Sequence, residues 1–227
     1  MKRSTTKGIC SYCYSEISKN SRSILSHFYD CPGRNLIKGT GTATYVLLLV
    51  EAKYMPHYWL VVKARSDASM KTIDKFLRDI WLECCGHMSE FSDKNSTIPM
   101  TRHLNQVISE GPKIDYIYDF GSSTELTLSM IQTIQDVDEG NLLILVRNKT
   151  PEYECSSCNK KAVAICPYCI DEGEGFLCQS CSGQHKCVLE EGEDLLSPLM
   201  NSPRDGVCGY TGSIDKQIKK YFPKNII

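Results

Sequence analysis

The chain has 227 residues, 41% hydrophobic and 23% charged, and its 26 basic and 27 acidic residues give a formal net charge of −1. These proportions describe a globular protein with a real core, and they exclude both a globally basic nucleic-acid binder and a strongly acidic unfolded chain. The longest apolar run, Val46-Leu47-Leu48-Leu49-Val50, falls far below the roughly 18 residues that a membrane span needs, so no membrane association is expected.

Thirteen cysteines are the unusual feature. The first residues, Met1 to Lys7, are basic but no apolar stretch follows them, so no secretory signal is expected. The expected setting is therefore the reducing cytoplasm, where clustered cysteines hold metal more often than they form disulfides. Charge is unevenly spread. Residues 1–40 carry seven basic and two acidic residues, and residues 41–150 carry eleven and fourteen. Residues 151–202 carry three and nine, and residues 203–227 carry five and two. Basic ends thus flank a near-neutral body and an acidic module, which is the pattern of a modular chain.

Residues 1–38 open with Cys10-x2-Cys13, followed by His27-x3-Cys31. A CxxC pair holds two thiolates on one knuckle, and His-x3-Cys places a nitrogen and a sulfur one helical turn apart, which together satisfy tetrahedral zinc. Ile24 and Leu25 supply a small apolar face, Ser21 or Ser23 suits a helix cap, and Pro32-Gly33 ends the helix after about Asp30. So polar a unit cannot fold on its core alone, and a metal supplies the difference. The spacing resembles C2HC-type zinc fingers, which bind nucleic acid or protein, and the basic charge tilts this segment towards the former.

Residues 43–150 read as a mixed α+β domain. Thr44 to Glu51 and His57 to Arg65 form a hairpin pattern around Pro56. Ile73, Phe76, Leu77, Ile80, Trp81 and Cys84 then lie on one helical stripe, with Thr72 as expected N-cap and Gly86 at the exit. Ile114 to Phe120 and Glu125 to Ile131 flank the turn Gly121-Ser122-Ser123, and Leu142 to Arg147 is a final strand. One main helix packed on a predominantly antiparallel sheet is the economical architecture. On this reading Cys84 is a core thiol, Cys85 belongs to the helix end, and His87 and His103 are surface or hydrogen-bonding residues.

The stretches Thr72 to Trp81, Gly86-His87-x3-Phe91 and Tyr118-Asp119-Phe120-Gly121 resemble the Ri-plasmid ORF-three-like family, whose members often carry a transposon-resolvase (TnpR) label. The tail segment Asn201-Ser202-Pro203-Arg204-x-Gly206-Val207-Cys208-Gly209-Tyr210-Thr211-Gly212 is similar to that of zinc-carrying members. The resemblance covers residues 44–150 and implies an α+β fold without an established reaction. Many members follow the Tyr-Asp-Phe-Gly turn with an acidic residue and a Trp, where this chain has Ser122, Ser123 and Thr124, so an activity carried by that turn is not expected here. Resolvase chemistry needs a nucleophilic Ser or Tyr among positioned arginines, and Arg65, Arg78, Arg102 and Arg147 form no cluster in the sequence.

Residues 151–190 carry Cys155-x2-Cys158-x7-Cys166-x2-Cys169-x8-Cys178-x2-Cys181-x3-His185-x-Cys187. Eight soft ligands make two tetrahedral sites with none left over. In a cross-braced scheme Cys155, Cys158, Cys178 and Cys181 share one ion, and Cys166, Cys169, His185 and Cys187 the other. A sequential scheme takes the first four and the last four. The order of ligand pairs resembles B-box-type fingers and favours the cross-brace, although the final His-x-Cys departs from their usual ending. The acidic charge of this segment repels phosphate and suits a structural or protein-binding role.

Residues 191–227 read as an acidic linker, a Ser/Pro/Gly-rich loop holding Cys208 outside any ligand pattern, and a short basic amphipathic helix from Ile214 to Phe222. Twelve residues, ten of them cysteines, thus account for three zinc ions. The leading expectation is a non-catalytic zinc protein acting as a binding or adaptor module for protein partners. The second is a nucleic-acid binder working through residues 1–38 and the basic tail. The third, an enzyme using Cys208 or the Cys85/His87 pair, is the least favoured because no orienting partner is visible in the sequence.

Overall fold

Apolar residues run together along residues 42–65, instead of alternating cleanly with polar ones, because both faces of the sheet they build are covered. The computed structural model describes residues 7–37, 41–94, 96–213 and 218–223. The strands of the main sheet are β1 (Lys7–Cys10), β2 (Glu16–Ser18), β3 (Thr42–Ala52), β4 (Trp59–Arg65), β5 (Ser89–Ser92), β6 (Thr97–Ile98), β7 (Lys113–Tyr118), β8 (Thr124–Val137) and β9 (Leu142–Asn148). Their order is β2-β1-β9-β4-β3-β8-β7-β5-β6, with neighbouring strands antiparallel throughout. The α+β class expected from the sequence is the one found.

Along β3 the side chains of Val46, Leu48, Val50 and Ala52 enter one core, while those of Ala43, Tyr45 and Leu47 enter a second core on the opposite face. The first core is covered by helix α2 (Met70–Leu77) and α3 (Leu104–Glu110), the latter not anticipated from sequence. The second is covered by α1 (Ser21–Asp30) through Ile24 and Phe28. The N-terminal finger is therefore built into the sheet. β1 pairs with β9, matching Gly8 with Asn148 and Cys10 with Val146. Arg34 reaches Asp136 at 2.7 Å, and the Tyr12 hydroxyl donates to Glu139 at 2.9 Å. Lys63, fully buried in this second face, joins the same two carboxylates and lies over the Tyr45 ring.

The α1 cap is Asn20, whose Oδ1 accepts from the Ser23 amide at 2.8 Å, one residue before the nearer expected cap, Ser21. The α2 cap is Ser69, not Thr72. Ser69 Oγ accepts from the Thr72 amide, because the loop before α2 is already pinned by the bridge between Ser69 and His103. After Leu77 the helix widens into a π-helical turn over Arg78–Leu82 and leaves the helical path at Glu83. That exit controls where Cys84 goes.

Beyond the main sheet, β10 (Ala164–Ile165), β11 (Phe176–Leu177) and β12 (Ser197–Pro198) form a small antiparallel sheet with the short helices α4 (Gln179–Ser182) and α5 (Lys186–Glu191). Glu190 and Glu191 thus close α5, where an acidic linker was expected. The module meets the body through Tyr153, which stacks on Phe176 at 4.3 Å and hydrogen-bonds Tyr58 at 3.0 Å. The chain then returns along the body. The Trp81 indole donates to the Asn201 carbonyl at 2.9 Å, and Ser202 donates to the Trp81 carbonyl at 2.6 Å. Residues 214–217 of the expected tail helix lie outside the described residues, and Lys219–Tyr221 forms a single 3₁₀ turn that docks Tyr221 edge-on against Phe76. Among the described residues no helix is long and apolar enough to cross a membrane.

Candidate metal centres

Cys10 ends β1, and the chain turns back on itself over Cys10–Tyr14, with the Tyr14 amide donating to the Cys10 carbonyl. Tyr14 takes a left-handed φ of 60°, uncommon outside glycine, which lets the knuckle close. His27 lies in the last turn of α1 and Cys31 caps it, so the helix carries both across to the knuckle. Cys10 Sγ lies 3.8 Å from Cys31 Sγ, and Cys13 Sγ lies 3.4 Å from His27 Nε2. Around one zinc, two thiolates stand about 3.8 Å apart and a thiolate and an imidazole nitrogen about 3.6 Å. A disulfide needs about 2.05 Å. Burial lowers the pKa of His27 and so favours the neutral imidazole, the form that binds a metal.

The eight donors of residues 155–187 fall into two groups. The donor atoms of Cys155, Cys158, Cys178 and Cys181 lie within 4.8 Å of one another, as do those of Cys166, Cys169, His185 and Cys187. The crossed grouping follows from the hairpin. β10 and β11 are antiparallel, with Ile165 opposite Phe176, so Cys166 just after β10 and Cys178 just after β11 emerge at opposite ends and cannot share an ion. Cys158 is 3.5 Å from Cys178 and 3.6 Å from Cys181, and Cys169 is 3.5 Å from His185 Nε2 and 3.6 Å from Cys187. Asn159 takes the left-handed turn after the first knuckle, as Tyr14 does after its own. At Cys155 desolvation is outweighed by backbone amides of Cys178, Ser157 and Cys158, which bring the thiol down to about 6. Hydrogen bonds from neighbouring thiols push Cys169 and Cys181 up to about 12.

A fourth group was not anticipated. The donor atoms of Cys84, Cys85, His87 and Cys208 also lie within 4.8 Å of one another. Cys85 Sγ is 2.9 Å from His87 Nε2, 3.4 Å from Cys208 Sγ and 3.8 Å from Cys84 Sγ, and His87 Nε2 is 3.3 Å from Cys208 Sγ. The α-helical stripe assigned Cys84 to the core, but the exit at Glu83 leaves it only partly buried at the core edge. Gly86, at φ 79°, turns the chain so that His87 follows Cys85 into the same space. Cys208, read as an isolated loop thiol, arrives from 123 residues away, and Cys85 is exposed instead of serving the helix end. Counting could have found the set, since three cysteines were left unassigned and His87 lies two residues from one of them. His103, by contrast, does hydrogen-bond locally, through Nδ1 to the Asp67 carbonyl at 2.6 Å.

Around this fourth group the Arg204 guanidinium, itself fully buried, meets Asp119 at 2.6 Å, Cys84 Sγ at 3.6 Å and Thr124 at 3.1 Å. Its hydrogen bond holds the Asp119 carboxyl down to about 2. Asp119, at a left-handed φ of 67°, also brings Oδ2 to 3.4 Å from His87 Nε2.

Fold and donor sets together define an α+β protein with, among the described residues, four Cys/His clusters of metal-binding geometry. No protein-family model matches the chain, and no curated protein does. A solved structure, a protein of unknown function, MM3350 from Methanosarcina mazei Go1, is similar over 48% of this chain and 70% of its own, with 14% identity and a TM-score of 0.40.

Proposed function

We propose that the chain is a zinc-binding protein whose ions are structural and whose role is to bind a protein partner, with no reaction of its own. The observation that carries this reading is donor completeness. Each of the three clusters with recognisable spacing brings four sulfur or nitrogen donors together, and four such donors close tetrahedral zinc, with no position left for water or substrate.

The choice of a protein over a nucleic acid rests on where the charges go. In the N-terminal finger Lys7 pairs with Glu16, Lys19 with Glu51 and Arg34 with Asp136, so three of its cations are already bound to carboxylates of the same chain. The double module is acidic and exposes Tyr168 and Leu189, at 60% and 71%, which suits an apolar or basic polypeptide better than a phosphate backbone. The resolvase label finds no help in the arginines. Arg65 binds Asp67 and Asp138, Arg78 binds Asp74 and Glu83, Arg102 binds Glu110, and Arg147 donates to the Asn201 carbonyl.

Two measurements test the reading. Elemental analysis of the purified chain should find zinc filling at least the three spaced clusters, and a metal-free protein that keeps its fold would overturn it. Retention on heparin or duplex DNA across a salt series should be weak. Tight binding that falls steeply with salt would transfer the assignment to nucleic acid.

A further inference from the structure

We infer that Cys84, Cys85, His87 and Cys208 form a fourth zinc site, and that its ion fastens the returning C-terminal segment to the end of α2. The inference rests on the zinc reading of the other three clusters and extends it to residues whose spacing gives no hint of a ligand set.

Three observations carry it. The donor set is Cys3His, the same composition as the clusters of Cys10/Cys13/His27/Cys31 and Cys166/Cys169/His185/Cys187. Most of its spacings, 3.3 to 3.8 Å, match those of the other clusters, and the Cys85–His87 approach of 2.9 Å would open by about 0.7 Å around an ion. The surroundings are those of a metal-bound thiolate. Arg204 is a fully buried cation that points one nitrogen at both Cys84 Sγ and the Asp119 carboxylate, so it offsets negative charge that three thiolates on zinc would leave, and it orients a ligand from behind. Outer-sphere donors of this kind are typical of metal sites.

The fourth site also differs from its companions. Each of the other three clusters has at least one fully buried cysteine ligand, whereas none of the four donors here is buried, and Cys85 and Cys208 are exposed. Its ligands come from two segments of chain, 84–87 and 208, so the ion acts as a clasp between them. It should therefore be the ion that a chelator removes first, and its loss should free Cys208 while leaving the sheet intact.

The test is zinc content together with thiol accessibility on the full chain. Wild type should hold one ion for each of the four clusters, and Cys208→Ser should hold one fewer with an unchanged circular dichroism spectrum. A wild-type content of three ions, unchanged in Cys208→Ser, overturns the fourth site and leaves the proposed function standing, whereas a content of zero overturns both. A second measurement needs no variant. Zinc-loaded protein is treated with a mild chelator, and alkylated cysteines are located by mass spectrometry as ions leave. Cys84, Cys85 and Cys208 should become labelled together, in step with the first ion released. Immediate labelling of all three in the loaded protein overturns the site, and so does labelling that requires a reductant, because that outcome means a disulfide.

Discussion

The N-terminal finger and the double module use similar ligands on opposite structural terms. In the finger, Cys10 and Cys31 belong to an apolar cluster that includes Ile24, Phe28, Tyr45, Trp59 and Val146, so its candidate metal donors are part of a core that the sheet also shares. In the double module, Ala162, Ile165, Leu177 and Val188 are the buried aliphatic residues, and none of them joins either main cluster. In the first, a bound metal would add to a core that already exists. In the second, bound metals would stand in place of a core, which is how small domains are held when burial alone falls short.

The largest expected effect follows from that difference. Structural zinc in small modules contributes on the order of 10 kcal/mol or more near neutral pH. Cys158→Ser, which breaks one site of the double module, should therefore abolish hydrogen-exchange protection at Val163, Cys166 and Leu177, whose amides or carbonyls hold the small sheet together. Protection along β3 and β4 should be unchanged. If the module kept its protection without metal, the contrast with the finger would vanish. Cys13→Ser, the matching change in the finger, should lower global stability but leave β1 paired with β9, because that pairing rests on the second core.

Next in size is Lys63→Met. Lys63 is fully buried and ion-paired to Asp136 at 3.0 Å and to Glu139, beneath the docked finger. Removing one partner of a buried pair typically costs about 3–5 kcal/mol, because the remaining charge has lost its compensation. Asp136 keeps Arg34 at 2.7 Å, so the lower end of that range is expected in urea unfolding. A loss under about 1 kcal/mol, as for an exposed pair, would mean that the finger is more loosely docked than its contacts imply.

What sequence reading could reach divides along the same line. Spacing is local information, and it found the residues of three clusters because each pairs a CxxC knuckle with partners carried on nearby helices and turns. Periodicity found Ile73, Phe76, Leu77, Ile80 and Trp81, all of them buried. Both signals failed where chain geometry changed within a turn or where partners were distant. The π-helical turn at Arg78–Leu82 took Cys84 off the helical stripe, and no pattern connects residue 85 to residue 208. The second core was equally hidden. Val46 to Val50 looked like one apolar run, and only the docking of α1 shows that its alternate residues serve two faces.

The segment that returns from the double module to the body makes a pH prediction. Burial pushes the Asp205 carboxyl up to about 8 from an ordinary value near 3.8, against the opposing hydrogen bond from the Met200 amide at 3.0 Å. A folded pKa above the unfolded one means that the native state holds the extra proton. Its contribution is therefore complete below about pH 3.8 and is lost as pH rises through about 8. Denaturant midpoints should fall between about pH 4 and 8, the range those two values set, and Asp205→Asn should remove that part of the slope. An unaltered slope in the variant would place Asp205 in contact with water.

The smallest effect sharpens the comparison most directly. Asn20 caps α1 by accepting from the Ser23 amide at 2.8 Å, and loss of such a cap typically costs about 1 kcal/mol. If the finger were an independent bead held by its ion, Asn20→Ala would loosen α1 alone and the main transition would stay where it is. Because Ile24 and Phe28 of that helix instead close the second core over Tyr45 and Trp59, the loss should appear in global unfolding, with β3 and β4 losing protection in step with α1. A comparable truncation in the double module, Val188→Ala on α5, should be felt only between residues 155 and 198, because Val188 is buried there and belongs to neither main core.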